Sequence, residues 1–151
     1  MKRLLIVYHT QSGSTERLAY AAAEGAGREA GVELRLLRAM EAGARDLRWC
    51  DALLLASPEN FGFLAGGMKD FLDRSYYAVL EEQLNRACAL IISAGNDGTG
   101  ALRQLRRILS GYPMREVAEP VIVRGEPDAA ALQRAIDLGQ ALAAGLDLGI
   151  F

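Results

Sequence analysis

Histidine, cysteine and long apolar runs are scarce in this sequence, and each scarcity excludes a class of function. The one histidine, His9, and the two cysteines, Cys50 and Cys88, provide no closely spaced set of metal ligands. Because the two cysteines form no close pair either, we expect free thiols in a reducing compartment. The first apolar run, residues 4–8, is too short for a signal peptide or a membrane span, which predicts a cytoplasmic protein.

A large excess of one charge is also lacking. The net charge of -2 gives no electrostatic reason to expect nucleic acid or an anionic membrane as a partner. A chain of 151 residues, 51% of them hydrophobic and 24% charged, has the size and composition of one globular domain. No repeat, linker or low-complexity segment divides it, so we predict a single domain over residues 1–151.

Apolar runs alternate with helical periodicity along the whole chain. The runs predict five strands, at residues 4–8, 32–37, 52–56, 87–92 and 121–123. Amphipathic patterns predict four helices, at residues 15–30, 64–77, 100–109 and 128–146. The segment 43–49 is predicted to be a loop with a short helical turn. Strands that alternate with helices imply right-handed crossovers, and therefore an α/β fold in which a five-stranded parallel sheet has helices on both faces.

Residues 10–15 carry four hydroxyl side chains and one glycine between the first strand and the first helix. A helix start offers unpaired backbone N–H groups and the positive end of its dipole. The hydroxyls add donors, and Gly13 lets the backbone curl closely around a guest. A well-capped helix is the alternative, but a cap needs only one hydroxyl. The stretch therefore predicts a phosphate site.

Two further polar loops, residues 57–63 and 93–99, follow the third and fourth strands. In an open parallel sheet the ligand lies beyond the carboxyl ends of the strands, where the winding reverses. We therefore expect the three loops to converge on one extended ligand. The first loop would bind its phosphate, and the other two its larger body.

These loops resemble those of a known superfamily. Residues 9–15 are similar to the phosphate loop of flavodoxins, with the pattern hydroxyl-x-hydroxyl-Gly-x-Thr. The stretch 57–62, continuing through 65–69 to 71–73, is similar to the second flavin loop of FMN-dependent NAD(P)H:quinone oxidoreductases and NADPH-dependent FMN reductases. The resemblance covers the whole chain in order. It implies a flavodoxin-like, three-layer, doubly wound domain with strand order 2-1-3-4-5 and FMN at the switch point.

The resemblance also implies a role for each loop. The first would bind the FMN phosphate. Glu59, Asn60 and Phe61 would line the isoalloxazine ring, with Phe61 as its apolar contact, and the third loop would direct backbone amides to the pyrimidine edge. The implied cofactor-binding residues are Thr10, Gln11, Ser12, Gly13, Ser14, Thr15, Pro58, Glu59, Asn60, Phe61, Gly62, Ser93, Ala94, Gly95, Asn96, Asp97, Gly98 and Thr99. No residue is assigned as catalytic or as a metal ligand, because hydride transfer to a flavin needs no protein base.

The implied function is an FMN-dependent oxidoreductase that passes electrons from NAD(P)H to a quinone or similar small-molecule acceptor. A flavodoxin-type electron carrier that meets redox proteins is the alternative, and a flavodoxin-like module with weak FMN binding is a third reading. The near-neutral charge favours the enzyme, because dedicated flavodoxin carriers are strongly acidic. Glu59 and Asp97 oppose it, because negative charges beside a flavin repel anionic substrates.

Three other features leave alternatives open. Residues 25–30 read G-x-G-x-x-A, but they end a helix instead of following a strand, so they lack the context of a dinucleotide fingerprint. Arg103, Arg106 and Arg107 predict a solvated helix face, with a dock for an NADPH phosphate as the alternative. The apolar residues 146–151 predict packing back onto the same domain, or against a second copy in a homodimer.

Overall fold

Strands and helices alternate along residues 1–151, all of which the computed structural model describes. The strands are β1 (Lys2–Tyr8), β2 (Val32–Arg38), β3 (Ala52–Asn60), β4 (Phe63–Leu64), β5 (Ala87–Ala94), β6 (Arg115–Glu116) and β7 (Val121–Arg124). The helices are α1 (Ser14–Ala26), α2 (Ala44–Trp49), α3 (Gly66–Val79), α4 (Thr99–Gly111) and α5 (Ala129–Asp147). A short 3-10 turn, Leu80–Glu82, follows α3.

The parallel strands occupy five positions in one sheet. From one edge the order is β2, β1, β3, β5, and then β6 and β7 together. Both of the last two pair with β5: Arg115 of β6 lies opposite Ala87 at its start, and Val121 of β7 opposite Ile91 near its end. This order confirms the predicted flavodoxin-like winding, with β5 and β7 as the predicted fourth and fifth strands.

The sheet has seven strands, so the predicted count of five was wrong. Strand β6 was missed because two residues in a connection carry no hydrophobic period. Strand β4 was missed because β3 runs to Asn60 and then turns back, so that Phe63 pairs antiparallel with Asn60. The predicted loop 57–63 is therefore the end of a strand plus a tight hairpin turn. The helix that was predicted to start at residue 64 starts at Gly66.

Alternate residues of the central strands face two separate cores. Leu4 and Ile6 of β1 pack in the core under α1 and α5, whereas Leu5 and Val7 pack in the core under α2, α3 and α4. All four side chains are fully buried. The apolar run is continuous because helices cover both faces of the strand, which confirms the three-layer architecture.

Two glycines bring α1 and α5 into close contact. A Cβ built on Gly25 would lie 1.9 Å from the backbone oxygen of Ile136, and one on Gly139 would lie 1.9 Å from that of Ala22. Gly25 thus belongs to a helix–helix contact, which accounts for the G-x-G-x-x-A pattern without a ligand.

Two helix predictions differ from the structure in detail. Helix α1 stops at Ala26, four residues before its predicted end. The segment 43–49 holds a helix of six residues, α2.

The apolar segment 146–151 packs back onto its own chain in part. Leu146 is buried, and the ring of Phe151 lies so close to Gly145 that a Cβ there would be 2.3 Å from it. Leu148 and Ile150 are exposed. None of the helices combines the length and the apolar character that crossing a membrane requires.

Candidate functional site

The three predicted loops meet at a cavity of about 370 Å³ beyond the carboxyl ends of β1, β3 and β5. We call it the three-loop cavity. Its lining residues are Gln11, Ser12, Ser14, Pro58, Glu59, Asn60, Ser93, Ala94, Gly95, Gly125 and Glu126. All three loops thus contribute, as the winding of the sheet predicts.

The first loop presents the start of α1 with no side-chain cap. Gly13 has a φ of 101°, a left-handed conformation that favours glycine, and no side chain accepts a hydrogen bond from the first turn of the helix. The Gly13 N–H donates to Thr10 Oγ1 at 3.0 Å, and the Arg17 N–H donates to Gly13 O at 3.1 Å. The N–H groups between them are left for another acceptor. Thr15, only 1% exposed, does not line the cavity.

The second loop is a hairpin whose tip carries an exposed aromatic ring. Phe61 and Gly62 have φ values of 54° and 79°, as the two central residues of a type I′ turn require. Phe61 is 99% exposed, and neither turn residue lines the cavity. Asn60 Nδ2 donates to Gln11 Oε1, so the hairpin and the first loop are linked across the cavity.

Glu59 lines the cavity but directs its carboxylate to α4. The two carboxylate oxygens accept hydrogen bonds from the N–H groups of Gly98 and Ala101, each at 3.0 Å. Since the start of a helix carries partial positive charge, the negative charge of Glu59 is matched there. The charge of Glu59 was expected to oppose the enzyme function by repelling anionic substrates, and this contact offsets part of that charge.

The third loop reaches the cavity only with its first residues. Ser93, Ala94 and Gly95 line it, whereas Asn96, Asp97, Gly98 and Thr99 do not. Because the Gly98 N–H donates to Glu59, this amide is not free for a ligand. The Thr99 hydroxyl donates to the Asp97 carboxylate, which lies 3.9 Å from the Arg124 guanidinium.

A fourth segment, after β7, was missed by the sequence analysis. Gly125 and Glu126 line the cavity. The Gly125 N–H donates to Ala94 O at 2.8 Å, and Arg17 Nη2 donates to Pro127 O at 3.2 Å, so the segment is held against both β5 and α1. The rule that selected the other three loops also applies to the end of the 121–123 strand, and it would have found this segment.

The histidine and the cysteines lie outside the cavity. His9 packs against α3, where a Cβ on Gly67 would lie 2.3 Å from His9 Nδ1. Burial, and secondarily the positive charge of Arg38, lower the pKa of His9 below its ordinary value. Cys50 and Cys88 are free and buried, and burial raises the pKa of each thiol to about 12. Neither thiol is therefore suited to nucleophilic chemistry.

A comparison with family models identifies the class of protein to which this chain is similar. The model of the family described as NADPH-dependent FMN reductase matches residues 38–127, which is more than half of the chain. The matched range includes the second and third loops and ends just beyond Glu126. This match confirms the resemblance and agrees with the predicted class of FMN-dependent oxidoreductase.

The individual relatives include both kinds of protein that the sequence resembles, a flavodoxin and an NAD(P)H:quinone oxidoreductase. A flavodoxin of Aquifex aeolicus is 40% identical over 73 residues, which make up 48% of this chain and 40% of that protein. An NAD(P)H dehydrogenase (quinone) of Archaeoglobus fulgidus is 26% identical over 160 aligned positions, covering 89% of this chain and 82% of that protein. A flavodoxin structure from the domain Archaea superposes with a TM-score of 0.83 at 21% identity, over 95% of this chain and 98% of that one. This last likeness shows the fold.

Proposed function

Because the chain belongs to the NADPH-dependent FMN reductase family, we propose that it binds FMN in the three-loop cavity and passes electrons from NAD(P)H to a quinone or similar acceptor. The observation that carries the proposal is the uncapped start of α1 at one side of this cavity. FMN, when bound, supplies a redox centre that exchanges either two electrons or one.

The phosphate of FMN would lie at the first loop. Ser12 and Ser14 line the cavity and each carries a hydroxyl donor, and the free N–H groups of the first turn of α1 add backbone donors. No Lys or Arg lines the cavity. The helix start, with about half a positive charge, is therefore the main source of attraction for a phosphate.

The flavin ring would lie between the second and third loops. Pro58 and Ala94 offer apolar surface from β3 and β5, and Asn60 offers an amide. The exposed ring of Phe61 lies at the hairpin tip, where it would pack against the apolar face of a bound flavin. All eighteen predicted cofactor residues stay predictions. Nine of them do not line the cavity: Thr10, Gly13, Thr15, Phe61, Gly62, Asn96, Asp97, Gly98 and Thr99.

The chain's own contribution to electron transfer is to position the cofactor. The matched charge of Glu59 keeps the cavity wall from strongly opposing negative charge on a reduced cofactor. No side chain is proposed as an acid or base. The proposed acceptor is a small molecule, by analogy with the name of the Archaeoglobus relative.

A flavodoxin-type carrier is the second candidate, because the Aquifex relative of 40% identity bears that name. The two functions differ in whether a nicotinamide is a substrate. An electron carrier receives electrons from a protein partner, whereas the enzyme receives hydride directly from NAD(P)H.

Anaerobic mixing distinguishes them. The protein, saturated with FMN, is mixed with one equivalent of NADPH or NADH, and the visible absorbance of the flavin is followed against free FMN as the control. We expect rapid loss of colour with at least one nicotinamide, and its return when a quinone is added. Reduction by dithionite alone, with no response to either nicotinamide, would assign the carrier function instead.

A further inference from the structure

A second groove of the molecule shares the hairpin of β3 and β4 with the three-loop cavity. It has a volume of about 650 Å³ and runs between β4 and α4. Its cationic residues are Lys69, Arg103 and Arg107, and we call it the cationic groove. No carboxylate lines it. The cationic groove therefore has the charge of an anion-binding site, and the proposed FMN site does not include it.

Contacts between the hairpin and α4 hold the groove in shape. The Leu64 N–H donates to Gln104 Oε1 at 2.6 Å, at the groove wall. Gly100 lies so close to the hairpin turn that a Cβ there would be 2.2 Å from Gly62 O. With Glu59 bonded to the start of α4, the hairpin and the helix form one fixed wall.

The two arginines of the groove have no partner in the protein. Arg103 and Arg107 are four residues apart on α4, and both are exposed. Neither side chain has an ion-pair partner within 4.0 Å or a hydrogen-bond partner within 3.5 Å. Like charges at this spacing destabilise a helix unless something neutralises them. Arg106, on the same helix, is instead paired with Glu116 at 2.8 Å, and Lys69 is paired with Asp73 at 2.8 Å.

The groove also offers apolar surface for the body of a ligand. Phe63, 60% exposed, lines it with Leu64 and Ile108. An aromatic ring beside two guanidinium groups suits a molecule that joins a flat base to a phosphate, because the ring stacks and guanidinium binds phosphate oxygens in pairs.

The position of the groove connects it to the cavity. Phe63 in the groove pairs across the hairpin with Asn60 in the cavity, and directly opposed residues of an antiparallel pair lie only about 5 Å apart. Arg103 and Arg107 follow Gly98 by five and nine residues of helix, or about 8 Å and 14 Å along its axis. Because the hairpin contributes to both sites, one extended molecule that crosses it can contact the cavity at one end and the arginines at the other.

We infer that the cationic groove binds the adenosine end of NADPH, with Arg103 and Arg107 on its 2′-phosphate, so that the chain uses NADPH in preference to NADH. The inference rests on the proposed function, because it takes the hydride donor to be a nicotinamide dinucleotide. It assigns the specificity for the phosphate to two residues that lie outside the flavin loops.

The test uses the FMN-loaded protein and two ligands that lack the nicotinamide. Calorimetry with adenosine 2′,5′-bisphosphate and with adenosine 5′-monophosphate should show tighter binding of the bisphosphate. Arg103→Gln and Arg107→Gln should each weaken bisphosphate binding by about 10- to 100-fold, the effect of a charge-assisted hydrogen bond, with little change for the monophosphate. Arg106→Gln is the matched control, because it removes the same charge from the same helix but not from the groove.

Steady-state kinetics gives the second readout. The two groove variants should raise KM for NADPH at least about tenfold and leave KM for NADH unchanged. Equal binding of the two adenosine ligands, or equal losses in Arg106→Gln and Arg103→Gln, would overturn the inference. If both nicotinamides reduce the flavin equally well in all variants, the proposed function stands and the groove assignment fails. If neither reduces it while selective bisphosphate binding persists, the phosphate site stands and the proposed function fails.

Discussion

The carboxylate of Glu59 accepts a hydrogen bond from the Gly98 N–H at 3.0 Å and thereby joins the end of β3 to the start of α4. Its second oxygen accepts from the Ala101 N–H, so two of the unpaired amides of the helix are satisfied by a residue far away in sequence. The contact fixes against α4 the hairpin that contributes Asn60 to the three-loop cavity and Phe63 to the cationic groove.

Removal of this contact should lower the stability of the protein. Glu59→Ala loses two charge-assisted hydrogen bonds at a helix start, and we expect its free energy of unfolding to fall by about 1–2 kcal/mol. Glu59→Gln keeps one acceptor oxygen and should lose less. Urea denaturation provides the measurement. Asp97→Ala is the control, because the exposed Asp97 should contribute less than about 0.5 kcal/mol. Equal effects of Glu59→Ala and Asp97→Ala would contradict the capping role.

Loss of a hydroxyl in the first loop should weaken FMN binding without unfolding the chain. Ser12→Ala and Ser14→Ala each remove a donor that lines the cavity, and a hydrogen bond to a charged phosphate contributes about 1.5–3 kcal/mol. We therefore expect the Kd for FMN to rise by about 10- to 100-fold, measured by quenching of flavin fluorescence. Ser110→Ala, on α4 and outside the cavity, should have no effect. A comparable loss in Ser110→Ala would reject the phosphate assignment.

Glu126 should oppose the phosphate, because its carboxylate lines the same cavity as Ser12 and Ser14. Glu126→Gln removes the like charge and keeps the size of the side chain. We expect FMN to bind about two- to fivefold more tightly, with a smaller gain at high salt because exposed charges are screened. Weaker binding in this variant would mean that Glu126 instead accepts a hydrogen bond from the cofactor.

The close contact of α1 with α5 should be intolerant of any side chain at its two glycines. Gly25→Ala and Gly139→Ala each place a Cβ 1.9 Å from a backbone oxygen, so we expect losses of at least about 2 kcal/mol in spite of the better helix propensity of alanine. Thermal unfolding measures the loss. Gly43→Ala is the control, because nothing lies within 4 Å of its Cβ position and its φ is -158°. Wild-type stability in both helix variants would contradict the close packing.

The sequence predicted the sheet order and the convergence of the loops because both depend on long patterns. Runs such as residues 52–56 identify buried strands, and right-handed crossovers then fix which strand ends meet. Strands β4 and β6 escaped prediction because two residues cannot show a period. The hairpin turn at Phe61 escaped too, because only Gly62 favours a positive φ and a phenylalanine does not signal one.

The parts of the site that the sequence did not predict are tertiary contacts. Glu59 lines the three-loop cavity, and its carboxylate also bonds to the N-terminus of α4, 39 residues further along the chain, a contact that the sequence did not predict. Gly25 matched a nucleotide motif, although a neighbouring helix explains it. The distinction between Arg106, which is paired, and Arg103, which is not, requires the location of Glu116. No local pattern contains this information.

The measurement that tests the central claim most directly is a comparison of FMN with riboflavin in binding to the cofactor-free protein. The two ligands share the flavin ring and differ in the phosphate, so their affinity ratio reports on the phosphate site that the uncapped start of α1 forms with Ser12 and Ser14. We predict one FMN per chain and at least about 100-fold weaker binding of riboflavin, a ratio that corresponds to about 2.7 kcal/mol. Equal affinity for riboflavin and FMN, or no uptake of FMN at all, would contradict the account.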